Sequence, residues 1–263
     1  MSSNDSLKNI VGVALVVCLV CSILVAATAV LLKPKQVANQ RLELLRNVLI
    51  AGDLLKEDMD VEKVFSEEIE PALIDLKSGD RLPKEKMTGN LAPEKFDVRR
   101  ASRDPNIAIE VPGDKDRAKI KRMPTRMMVY FVKEKDGYSR VIFPVYGSGL
   151  WSVMYGFLAL DKDLKTIKGF TIYEHGETPG LGGEVDNPRW KASWKGKLIF
   201  DDSGQYIFKV LKGQTAPGAT SEIDGLSGAT LTTRGVDDMI AFWFGPDGYS
   251  PFLEKMKREQ GDM

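Results

Sequence analysis

Cysteine is almost missing from this chain of 263 residues: only Cys18 and Cys21 occur, both inside one uncharged apolar run near the N-terminus. Their C-x-x-C spacing matches a redox or zinc pair. Thiolates are disfavoured in hydrocarbon, however, and nothing completes a ligand set, so the two read as small apolar residues on one helix face. No disulfide and no cysteine-ligated cluster is expected in the rest of the chain. Histidine occurs once, as His175, which gives little support for a Ser-His-Asp hydrolase, and a lone loop histidine is more often incidental than a ligand. Net charge is absent too: 37 basic side chains balance 37 acidic ones, so no overall field attracts nucleic acid, and none is expected as a partner. The chain shows no dinucleotide fingerprint and no carboxylate within the apolar run, which argues against an NADH site or an ion path of its own.

What the chain does have is a 23-residue uncharged stretch, 10–32, long enough at about 1.5 Å per residue to cross a bilayer. It exceeds the apolar part of a cleaved signal peptide, and Lys33-Pro34-Lys35 follows in place of a cleavage site, so a retained transmembrane helix is expected. Lys8 precedes it, whereas Lys33, Lys35, Arg41 and Arg46 follow. Taken alone, that bias puts the large domain in the cytoplasm. Helical spacing of Val37, Leu42, Leu45, Val48 and Leu49 ends at Gly52-Asp53, and residues 60–70 predict another short helix. Residues 77–123 are polar with scattered proline and glycine, and read as an irregular, solvated region. From 127 the pattern is that of strands: 127–132 and 139–146 about Asp136-Gly137, then 152–160 and 167–173, with shorter candidates at 198–200 and 206–210. Pro144 marks its strand as an edge or a bulge. Short helices are expected at 188–194, with Trp190 and Trp194 on one face, and at 252–258. The sum is an α+β fold: a single N-terminal transmembrane helix, then a mainly antiparallel sheet domain with packed helices. The expected segments are a tail 1–9, the span 10–32, a helical and irregular membrane-proximal region 33–125, and a domain 126–258.

Residues 224–235 read D-G-L-S-G-A-T-L-T-T-R-G. Ser227, Thr230, Thr232 and Thr233 crowd around Gly228 and Ala229, directly ahead of the helical spacing Val236, Met239, Ile240 and Trp243. A tight turn feeding a helix N-terminus offers unpaired amides and a positive dipole end to a phosphate, and its hydroxyls can be esterified. An ordinary Ser/Thr-capped helix has the same spacing. Two glycine-rich segments stand upstream: Gly147-Ser148-Gly149-Leu150-Trp151 at a strand junction, and H-G-E-T-P-G-L-G-G at 175–183. In both, main-chain amides can face a bound group, and Trp151 offers a flat apolar face. Asp224 is placed to bond the amides of the turn.

Ser227-Gly228-Ala229-Thr230 resembles the S-G-A-T flavinylation motif of the covalent FMN-binding domain family. Glu177-Thr178-Pro179-Gly180-Leu181-Gly182 resembles a second element of that family, and both lie behind an N-terminal anchor. The family occurs in the C subunits of sodium-translocating NADH:quinone oxidoreductases and in the G subunits of Rnf-type complexes. The resemblance implies FMN held covalently through a phosphoester to Thr230, with Ser227, Gly228, Ala229, Glu177, Thr178, Leu181, Gly182 and Trp151 around it; Trp190 and Trp194 read as core packing, with a border on the flavin as the alternative. It implies no catalytic residue and no metal. It also implies an electron relay from NADH toward ubiquinone while sodium is exported, with the other subunits of the Na(+)-NQR complex as partners. A separate flavin transferase would mature the chain, and the domain would lie on the periplasmic face of a bacterial inner membrane, opposite to the charge bias. The long segment between anchor and first strand favours the quinone reductase branch over Rnf. A cofactor-free, membrane-tethered scaffold is the remaining reading.

Overall fold

The computed structural model describes residues 7–261, and contacts divide the chain after Leu44 into two units. Helix α1 (Leu7–Ala51) begins in the first unit, where it is long and apolar enough to cross a membrane and its most apolar stretch is unburied. Cys18 and Cys21 are free and exposed along it. Sequence spacing predicts a helix on either side of Lys33-Pro34-Lys35; instead one helix runs through, with Pro34 inside it.

The second unit begins with the last turns of α1, where Leu45, Val48, Leu49 and Ala51 are buried. Helix α2 (Val61–Glu68) follows, capped by Asp60, whose carboxylate accepts from the Lys63 amide. Five antiparallel strands form the central sheet: β1 (Ile69–Asp75), and, after α3 (Val98–Ala101) and the small hairpin β2 (Ala108–Glu110) and β3 (Arg122–Pro124), β4 (Arg126–Glu134), β5 (Gly137–Ser148), β6 (Val153–Asp161) and β7 (Ile167–Glu174), in the order β1-β4-β5-β6-β7. The chain then makes α4 (Pro188–Ala192), a two-residue parallel pair β8 (Lys209–Val210) and β9 (Glu222–Ile223), α5 (Thr230–Trp243) and α6 (Ser250–Gly261).

Burial along β5 and β6 is nearly continuous, the sign of a sheet covered on both faces. On one face Tyr130 meets Phe65 of α2 and Phe157 edge-on, at centroid distances of 5.9 and 6.0 Å. Nearby, the buried Thr171 hydroxyl bonds Asn47 of α1 at 3.2 Å. Gly169 lies so close to the Ala51 carbonyl that a Cβ would collide with it, and Arg140 donates to the carbonyl of Gly52 just past the helix end. On the other face Phe143 packs on Phe244, Tyr249 and Phe252.

Three sequence expectations are corrected. Pro144 lies in the central strand and not at an edge, and the register irregularity that strand does show, against Val132 and Lys133, is away from the proline; the strand pairs with β4 only as far as Ile142 but with β6 to Ser148, so the missing N–H falls where one side of β5 has no ladder partner. There side chains replace the ladder: Tyr249 Oη donates to the Pro144 carbonyl at 2.5 Å and Trp243 Nε1 to the Tyr146 carbonyl at 2.7 Å. The strands expected at 198–200 and 206–210 shrink to isolated bridges, Thr166↔Leu198 and Phe200↔Tyr206, plus β8. Residues 77–123 are not a solvated loop, because Ala92, Phe96, Val98, Ala101, Val111, Ala118 and Met123 are buried in that stretch. Strand β1 was hidden in the sequence by Pro71, which an edge strand tolerates.

Tyr249→Phe leaves the buried Pro144 carbonyl without its donor and should destabilise the domain by about 1–3 kcal/mol. Urea unfolding followed by tryptophan fluorescence should show a lower midpoint with an unchanged slope; an unshifted midpoint would show that the bond contributes nothing.

Candidate functional site

The ends of β5, β6 and β7 and the start of α5 bring three distant segments together. The first is the β5–β6 connection, Gly149 to Ser152; the second follows β7, residues 175–183; the third is the turn 226–229 ahead of Thr230. Segments two and three each hold a turn closed by a backbone bond, Leu181 N–H to the Thr178 carbonyl and Ala229 N–H to the Leu226 carbonyl, both 3.1 Å. Each has glycine in third place with positive φ, 75° at Gly180 and 71° at Gly228, the pattern of a type II turn that a side chain would strain. Pro179 presets the second position of the first turn.

Glu177 ties the first two segments to the first turn of α5. It is only 4% exposed, yet every donor around it is satisfied: Oε1 accepts from the amides of Trp151 at 2.9 Å and Ser152 at 3.2 Å, and Oε2 from the Leu150 amide at 3.1 Å and the Thr232 hydroxyl at 2.6 Å. Burial pushes this carboxyl up, but the Thr232 hydroxyl and the amides of Trp151, Leu150 and Ser152 outweigh it and hold the pKa below the usual carboxylate value. Space for the carboxylate exists because neighbours lack side chains. A Cβ on Gly149 would come 2.5 Å from Oε1, and one on Gly182 would come 2.8 Å from Oε2 and 2.5 Å from the Thr232 hydroxyl.

His175, expected to be incidental, organises the second segment: Nδ1 accepts from the Glu177 amide at 3.1 Å and Nε2 bonds Asp186 at 2.8 Å. Ser152 Oγ accepts from the Gly176 amide at 2.6 Å. Asp224 differs from expectation, since its carboxylate takes the amide and hydroxyl of Thr215, at 2.7 and 2.9 Å, and not an amide of the 226–229 turn. Thr233 supports that turn instead, its hydroxyl accepting from the Leu226 amide at 2.9 Å.

Of the four hydroxyls in the motif, Thr232 and Thr233 are buried in these bonds, whereas Ser227 and Thr230 are exposed. Thr230 is the first residue of α5, and its preceding residue Ala229 provides no side-chain cap, so the first helical amides are open to an anion. Around it stand exposed apolar side chains from the first two segments and the helix: Leu150 46%, Trp151 70%, Leu181 45% and Leu231 57%. A Cβ on Gly228 would lie 3.1 Å from the Leu181 side chain, so second and third segments touch directly. Thr178 is exposed on the same loop. Trp190 and Trp194 take the core role: Trp194 is fully buried and stacks on Phe170 at 3.8 Å, and Trp190 Nε1 donates to the Asp224 carbonyl at 2.8 Å. The arrangement has an exposed threonine at an uncapped helix N-terminus beside exposed apolar side chains, suited to hold a phosphate ester with a flat ring. Among the described residues no cluster of three metal-ligating side chains is present.

Residues 149–245 match the family model described as an FMN-binding domain. The chain is 43% identical over 259 residues to the C subunit of the Na(+)-translocating NADH-quinone reductase of Yersinia pestis, covering 97% of this chain and 95% of that one. With the C subunit of the Vibrio campbellii reductase it shares 44% over 256 residues, covering 97% of each. The crystal structure of Shewanella oneidensis NqrC superposes with a TM-score of 0.76 at 39% identity, covering 84% of this chain and 99% of that chain.

Replacing Glu177 by Gln sets an amide against the Leu150 or Trp151 donors and should cost about 1.5–3 kcal/mol at pH 7. Because the folded carboxyl titrates below its unfolded value of about 4.3, its stabilisation is present above that pH and is lost as pH falls through the lower folded value. Urea midpoints of the two proteins should therefore differ at pH 7 and draw together as pH falls below the unfolded carboxyl value. A gap that is constant across this range would show that the charge plays no part.

Proposed function

The chain belongs to the NqrC family, the C subunits of Na(+)-translocating NADH-quinone reductases, and from that premise we propose that it relays electrons through an FMN esterified to Thr230. It is a flavoprotein subunit of an oxidoreductase complex, so its partners are the other subunits, and it needs no complete activity of its own. The observation behind the covalent reading is the exposure of Thr230 at the uncapped start of α5 while Thr232 and Thr233 are occupied.

FMN, when bound, supplies one-electron chemistry; the chain's own residues supply attachment and setting. A phosphoryl group on Thr230 would meet the open amides of the first helical turn, where negative charge is stabilised. Gly228 keeps the turn narrow, and Ser227 adds a donor hydroxyl beside it. Trp151 and Leu181 give apolar flanks for a ring system, and Gly182 with Thr178 leaves backbone donors at its edge. Oriented amides of that kind stabilise negative charge arriving on a bound group. Glu177 keeps the first two segments and the first turn of α5 in register while its own charge is fully hydrogen-bonded. The flavin-bearing function is assigned to 126–258, in which all these loops fall, with 33–125 as its membrane-proximal partner region. No general base accompanies Thr230 in the described site, which supports attachment by a separate flavin transferase. The domain is assigned to the periplasmic side of the membrane by family analogy, against the bias of Lys33, Lys35, Arg41 and Arg46.

The test is in-gel fluorescence under ultraviolet light of the denatured full chain, co-expressed with a flavin transferase in an exporting cell. The native sequence should give a fluorescent band, and Thr230→Val should give none. If the native chain stays dark while a control protein is labelled, the covalent reading fails and a cofactor-free scaffold takes its place.

A further inference from the structure

His175 is the one histidine of the chain, and its ring spans the base of the loop that carries Thr178, Leu181 and Gly182. Nδ1 accepts from the Glu177 amide at 3.1 Å where the loop begins, and Nε2 meets Asp186 at 2.8 Å where it ends. An amide N–H can only donate, so Nδ1 carries no proton in this bond. The proton of the neutral ring is therefore on Nε2, which donates it to the Asp186 carboxylate. The side chain is 15% exposed, and Gly183 lies at its edge, where a Cβ would stand 3.7 Å from Cε1. Ser152 completes the base of the loop by accepting from the Gly176 amide at 2.6 Å. A bond from a side chain to the amide two residues on is the pattern of an Asx turn, made here by a residue that titrates.

The two ring nitrogens respond oppositely to a second proton. Taken up at Nδ1, it sets an N–H against the Glu177 N–H, and that bond is lost; at the same time the imidazolium is drawn more strongly to Asp186. Neighbouring charges do not replace the lost acceptor. Glu177 spends its carboxylate on the Leu150–Ser152 amides and Thr232, Glu174 pairs with Arg99, and Glu184 accepts from the Asn187 side chain. We propose that His175 is a positioning residue: its neutral ring clasps the 176–185 loop in the conformation that faces the flavin, and protonation opens the clasp on the Glu177 side. The proposal rests on the flavin reading and adds a proton-dependent setting to the same site. Amides of this loop stabilise negative charge on a bound group, so an opened clasp favours the oxidised cofactor.

Two measurements on the full chain, purified without a histidine tag, test it. The first is nitrogen NMR of protein labelled at histidine, where a single imidazole gives an unambiguous pair of signals; it needs no flavin and is repeated on Thr230→Val. At pH 8 Nδ1 should be unprotonated and Nε2 protonated, and the reverse tautomer or an equal mixture overturns the clasp. The second is the reduction equilibrium of the attached flavin between pH 8 and pH 5.5, above the range in which Glu177 titrates, for the parent, His175→Asn and His175→Leu. Asparagine keeps an acceptor for the Glu177 amide but cannot take up the proton. Parent and His175→Asn should agree at pH 8 and separate as pH falls, the parent becoming about threefold harder to reduce by pH 5.5, while His175→Leu is harder to reduce already at pH 8. A difference between parent and His175→Asn that does not change with pH, or parent-like behaviour of His175→Leu, overturns the proposal. In-gel fluorescence of the same samples keeps the two readings apart. A dark parent defeats the flavin assignment and this proposal with it, whereas a fluorescent parent with a pH-independent difference defeats this proposal alone.

Discussion

A buried carboxylate has to be surrounded by donors or it will not stay charged, and this requirement shapes the site around Glu177. Its four hydrogen bonds come from two other segments, the Leu150–Ser152 amides and the Thr232 hydroxyl, neither of which can be supplied locally. The charge is therefore stable only when the β5–β6 connection, the loop after β7 and the first turn of α5 are already assembled. Turning three consecutive amides inward also fixes the backbone from which Leu150 and Trp151 stand out into solvent. One buried charge thus sets the spacing of a surface it does not itself touch.

The sheet provides the anchorage for that arrangement. Close approach of α5 to β5 needs glycine on both sides: a Cβ on Gly147 would come 2.7 Å from Met239, and one on Gly235 would collide with the Ser148 carbonyl. The helix is then held by Trp243 and, beyond it, Tyr249, whose side-chain donors satisfy carbonyls of β5 past the end of its ladder with β4. Proline at 144 is compatible with this because the donor it lacks is not required there. Packing at the far end of α5 consequently governs where its first residue, Thr230, is presented. Loop 112–121 adds a second restraint through Arg117 and the acidic pair Asp237 and Asp238.

Much of the site was legible in the chain itself. Glycines at 180 and 228, the proline before the first of them, and hydroxyls ahead of a helical apolar pattern are local signals, because turn geometry and helix capping are decided within a few residues. The hairpin at Asp136-Gly137 was legible for the same reason. What escaped were relations between distant residues. His175 gave no sign of its bonds to the Glu177 amide and Asp186, and Thr232 gave no sign that its hydroxyl is taken by Glu177, 55 positions away. The buried stretch within 77–123 was missed because its apolar residues follow neither a helical nor a strand period; they fill gaps against other elements.

Sequence alone therefore determined the apolar helix, the antiparallel strand pattern, the two glycine turns and the S-G-A-T hydroxyls, all properties of residues near one another along the chain. Only the tertiary structure decided which hydroxyls of the motif are buried in bonds and which stay exposed. Thr230 and Thr232 are two residues apart and chemically alike, but helix geometry turns one toward solvent and the other toward Glu177. Long-range hydrogen bonds make these choices, and no local pattern encodes them.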